Sequence, residues 1–73
     1  MFAQAPAVNI DAHKHPNLAG AQTRIVEAYQ LIDRAQSANR DELGGHGQKA
    51  KELLMQADAE LRAAATVSNS EHR

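Results

Sequence analysis

The 73-residue chain has no cysteine, which excludes a disulfide framework, a thiolate nucleophile and cysteine-ligated zinc. Helix packing or self-association must supply the stability. Charge of one sign is not in excess either: eight Lys and Arg stand against nine Asp and Glu, a net charge of -1 at pH 7. A phosphate-backbone binder carries a clear basic surplus to release counterions, so nucleic acid is not an expected partner. Long apolar runs are missing as well. The longest alanine run is Ala63, Ala64 and Ala65, far below the ~20 residues that cross a bilayer, and no membrane span is expected. Bulky apolar side chains are scarce, because 15 alanines make up almost half of the 42% hydrophobic share. Such a chain has room for one small domain.

What is present is a pair of heptad series. Residues 1–15 hold Phe2, Val8 and Ile10 without helical period and read as a flexible or loosely docked arm. At Pro16 the character changes, since proline is favoured in the first helical turn; Asn17 is an alternative N-cap. From there Leu18, Ala21, Ile25, Ala28, Ile32 and Ala35 recur at steps of three and four. The period fades over 39–42, and Gly44 and Gly45 provide a chain reversal. A second series follows at Ala50, Leu54, Ala57, Leu61 and Ala64. The expected elements are a helix over 16–42, a glycine turn over 43–46, a helix over 47–67 and a frayed tail over 68–73. The fold class is therefore all-α: an antiparallel two-helix hairpin whose seam alternates Leu or Ile with Ala and brings the backbones close. Lys51, Glu52, Gln56 and Asp58 are expected to face away from that seam. An Asp58–Arg62 pair across one turn adds only ~0.3 kcal/mol.

A hairpin has one seam, yet Val26, Tyr29, Leu31, Leu53, Met55 and Val67 fall beside or behind it. A two-helix unit with so few large apolar residues is marginal. Either the arm folds over, or two hairpins pair into a four-helix bundle, and the homodimer is the favoured expectation. Val26, Tyr29, Leu31 and Leu53 form the candidate interaction patch.

Candidate chemistry is thin. His13 and His15 form half of a metal site, and an antiparallel return brings His72 toward them, so His13, His15 and His72 form the alternative zinc, copper or nickel site; structural zinc wants about four ligands. The segment Gly44-Gly45-His46-Gly47-Gln48-Lys49 precedes a helix but lacks the spacing of a P-loop and any leading strand. Asp33, Asp41, Glu42, Asp58 and Glu60 have no concave, water-poor site in a hairpin, and Ser37, Ser68 and Ser70 have no His and Asp arranged to activate them. No enzyme activity and no cofactor are expected.

The stretch His15-Pro16-Asn17-Leu18-Ala19, with Ala21-Gln22, Gly44-Gly45-His46 and Lys49-Ala50-Lys51-Glu52-Leu53-Leu54, resembles a family of small uncharacterised proteins of Gram-negative bacteria. The likeness runs over about residues 15–67. It implies an exported, periplasmic helical hairpin with no established activity. No basic, apolar leader opens the chain, but Phe2-Ala3-Gln4-Ala5 has the small-residue texture of a cleavage region, so Met1 is read as added and the signal as lying upstream. The functional expectation is a non-catalytic, envelope-associated interaction or structural module; the alternative is a small metal-handling protein.

Overall fold

The computed structural model describes residues 5–39 and 43–71. Two helices, α1 (Pro16–Asn39) and α2 (His46–Glu71), form an all-α hairpin. They run antiparallel: Gln22 meets Asp58, Gln36 meets Lys51, and His15 meets Asn69.

The entry to α1 is built by a side chain that lies upstream of it. Asp11 Oδ1 accepts from the backbone N–H of His13 at 2.8 Å and of Lys14 at 3.4 Å. Its carbonyl takes the N–H of His15 at 2.8 Å, and the carbonyl of His15 takes Ala19 N–H at 2.9 Å. One capped turn therefore leads straight into the helix, with Pro16 in the first position, where no N–H is needed. At the other end Gly44 (φ 58°) and Gly45 (φ 79°) occupy the left-handed region, which non-glycine residues enter only at a cost. The Gly45 carbonyl accepts from Lys49 N–H at 3.1 Å and starts α2 at His46, one residue before the expected position. Gly47 serves packing instead, since a Cβ there would stand 3.1 Å from Leu43 Cδ1. Residues 40–42, expected as the last turn of the first helix, lie outside the described residues.

The expected frayed tail needs correction. Ser68, Asn69 and Ser70 belong to α2, and the Asn69 side chain is bonded to the His15 ring at 2.9 Å; Arg73 lies outside the described residues. A polar sequence continues as helix here because a tertiary contact holds its end.

The arm is docked. Ile10 is buried together with Ala19 and Ala65, packed on Leu18 and Leu61, and Pro6 is buried. Val8 is exposed, and Phe2 lies outside the described residues.

The seam is rotated by one residue from its expected register. Leu18, Ile25, Ile32, Leu54 and Leu61 remain at the junction, half-buried. Their expected partners do not: Ala21, Ala57 and Ala64 are exposed, and Ala28, Ala35 and Ala50 are only half-buried. The inner positions go to the next residue along, Gln22, Tyr29 and Gln36 on α1 and Lys51, Asp58 and Ala65 on α2, each again seven apart. Lys51 and Asp58 thus point inward, against expectation, and Asp58 is 1% exposed. Both registers obey the same three-four spacing. Hydrophobicity alone selects alanine, but the longer stems cover more surface once their polar ends are bonded.

Candidate functional site

Two surfaces of the hairpin are distinct, and helical geometry separates them. At 100° per residue, Ala19, Val26, Asp33, Met55 and Arg62 turn to the side on which the arm lies, whereas Ala21, Ala28, Ala35, Ala50, Ala57 and Ala64 turn to the other.

On the arm side the centre is Gln22, fully buried. Its Oε1 accepts from the backbone N–H of Asn9 at 2.8 Å and of Ile10 at 2.9 Å. Its Nε2 donates to Asn9 Oδ1 at 2.9 Å and to Asp58 Oδ1 at 2.8 Å. Every hydrogen-bonding position of the amide is filled. Arg62 donates to the other Asp58 oxygen at 2.5 Å, so the one-turn pair expected from the sequence forms, on a largely buried carboxylate. Beside this clamp lies an open cleft of about 390 Å³ bordered by Asp11, His15, Arg62, Thr66 and Asn69. Each of these polar groups already has a protein partner: Arg62 holds Asp58, Thr66 Oγ1 donates to the Arg62 carbonyl at 3.0 Å, and His15 is bonded to Asn69. Among the described residues no buried side-chain nitrogen or oxygen lacks a partner. The cleft offers no activated nucleophile and no spare charged group aimed into it.

A second polar node sits nearer the turn. Lys51 donates to Asp33 and, at 3.0 Å, to Gln36 Oε1, and its ammonium stands 4.9 Å from the centre of the Tyr29 ring. The Asp33 hydrogen bond holds the Lys51 pKa above its ordinary value. Nucleophilic lysines need the opposite shift, so this group acts as a tie between helices.

The candidates read from the sequence divide between these surfaces. Leu31 and Leu53 are exposed, at the two shoulders of the alanine-rich face. Val26 and Tyr29 are not part of an outward patch with them: both are half-buried, Val26 toward the arm and Tyr29 in the seam under Lys51. The register shift explains this, since Tyr29 takes the inner position expected for Ala28. His13 is bonded through its backbone to Asp11, and His15 is engaged by Asn69. His72 lies outside the described residues, as do Asp41 and Glu42. Among the described residues no three His, Asp or Glu converge as a metal site. Spacing and apolarity do not single out Gln22 and Asp58 as buried; their one signal is that they continue the inner heptad that Tyr29 and Lys51 share.

The alanine-rich face is the most distinctive surface. Leu18, Ala21, Ile25, Ala28, Ile32 and Ala35 of α1 lie alongside Ala50, Leu54, Ala57, Leu61 and Ala64 of α2, with no charged residue among them. Ala21, Ala57 and Ala64 are exposed there and the other eight are half-buried, and apolar surface shared by two neighbouring helices is a feature of interaction sites. No helix is long and apolar enough to cross a membrane among the described residues. No protein-family profile, curated protein or solved structure matches the chain.

Proposed function

We propose that this protein is a non-catalytic, exported helical module of the bacterial envelope that acts by docking its alanine-rich face against protein. The observation that carries the docking role is the apolar alanine-rich face, whose Ala21, Ala57 and Ala64 stay exposed while the arm's Ile10 packs on Leu18 and Leu61 from the opposite side. Apolar helix faces are a common means of protein recognition, with anchors three and four residues apart. The bonded state of the polar groups around the cleft supports a role without catalysis. Export rests on the resemblance of the HPNLA, GGH and KAKELL segments and on the small-residue texture near residue 3.

The test places a photo-crosslinking amino acid at Leu53 and, as a control, at Ser37, an exposed site on the arm side, in cells making the precursor with its own leader. The expected result is a discrete adduct from position 53, none from 37, and recovery in the osmotic-shock fraction. No adduct from position 53 overturns the docking role, and retention with the cytoplasm overturns export.

A further inference from the structure

The hairpin is one helix thick. It measures 50 × 23 × 14 Å with a radius of gyration of 14.2 Å, against about 11 Å for a compact chain of this length. It exposes 5303 Å², whereas a compact monomer of 7.9 kDa exposes about 4,400 Å². The surplus, about 900 Å² summed over the whole chain, is of the order of the ~800 Å² that each partner covers in a standard protein interface. Domains bury their apolar faces between two layers, and this one supplies a single layer whose arm already has its seat on the other side.

We infer that the occupant of the alanine-rich face is a second copy of this chain, pairing face to face to form a four-helix bundle. This rests on the docking role proposed above and names its partner. Three observations converge on a self-complementary contact. The surplus area fits one such interface. The face alternates alanine with leucine or isoleucine on both helices, so the ridges of one copy find gaps in the other and the helices approach closely. The charges bordering the face also differ in sign, with Arg24, which holds Glu27 at 3.2 Å in an exposed pair on its own helix, beside it on α1 and Glu60 beside it on α2. A twofold axis along the bundle sets α1 of one copy against α2 of the next, and thereby Arg24 near the partner's Glu60. Among the described residues the borders carry no polybasic rim of the kind that draws amphipathic helices onto anionic lipid.

Sedimentation equilibrium of the purified full chain from micromolar to millimolar concentration tests the inference, with three variants alongside. Leu53→Glu and Ala57→Glu place a carboxylate at exposed positions of the face; Ser37→Glu places one on the arm side. The expected result is twice 7.9 kDa for the parent and for Ser37→Glu, and a twofold loss of mass in the two face variants, with helical circular dichroism unchanged. A parent that stays monomeric throughout overturns self-pairing, as does a dimer that survives both face variants. Should the face variants lose helicity, amide-exchange protection of the parent on dilution reads the same contact: equal protection at Ala57 and Ala64 at high and low concentration overturns it. The docking role fails separately, through the absence of any crosslinked adduct, since an adduct of another mass from position 53 keeps that role while excluding the second copy.

Discussion

Replacing Gln22 by leucine removes four hydrogen bonds from a fully buried position while keeping the side chain about the same size. The Asn9 groups are exposed and regain water, so the cost comes from two others. Ile10 N–H and Asp58 Oδ1 are left without partners in a dry site. An unmade bond to a buried amide costs about 1 kcal/mol and one to a charged acceptor about 1.5–3, giving roughly 2.5–4 kcal/mol together. A domain of this size holds only about 4–11 kcal/mol in total. Thermal melting followed by circular dichroism is expected to shift down by roughly 10–30 °C. If instead the arm alone lets go, the melting point moves less and the Ile10 amide loses its exchange protection, so exchange is recorded on the same sample. A Leu variant that melts within a few degrees of the parent and keeps Ile10 protected would refute the account of Gln22 as the clamp. A double-mutant cycle with Asp58→Ala should return a coupling of about 0.5–3 kcal/mol.

Further outcomes follow from single features. Lys51 has its pKa raised from 10.5 by the Asp33 hydrogen bond, so its contribution is complete below that value and fades as pH climbs beyond it; Asp33→Asn should abolish this alkaline loss in urea unfolding. Asp11 is lowered from 3.8, chiefly by the His13 backbone N–H; its contribution holds above 3.8 and disappears as pH drops below, seen as lost amide protection at His13 and Lys14. A methyl group added at Gly20 would meet nothing within 4 Å, and Gly20→Ala should stabilise α1 by about 0.5–1 kcal/mol by urea titration. Calorimetric titration with zinc, copper or nickel should show no micromolar site, and one abolished by His13→Ala and His15→Ala would restore the metal-handling alternative.

The hairpin is legible in the sequence because periodicity, the proline start and the two glycines are each local signals. Spacing alone places Leu18, Ile25, Ile32, Leu54 and Leu61 at the helix junction. Which neighbour accompanies them is not legible. Ala21 and Gln22 satisfy the same spacing, and apolarity points to alanine; the choice of glutamine depends on Asn9, Ile10 and Asp58, residues 12 to 36 positions away. Arm docking has the same origin, since neither Ile10 nor Asp11 carries a local period. The helical state of Ser68 to Ser70 likewise depends on His15, 54 positions from Asn69. The outward face is half visible: the pattern finds Leu31 and Leu53, while it assigns the six alanines to an interior that they in fact border.

The docking of the arm also sets an order in time. Residues 9 and 10 emerge before either helix in synthesis, yet their bonds run to Gln22, whose other end is fixed by Asp58 on the second helix. Until that helix has returned alongside the first, Gln22 has no reason to hold the arm in place. The arm, made before both helices, is therefore the last to settle, and on warming it is the first to leave. A nascent or partly opened molecule exposes both faces of the hairpin at once, and only the finished one presents a single apolar side to its surroundings.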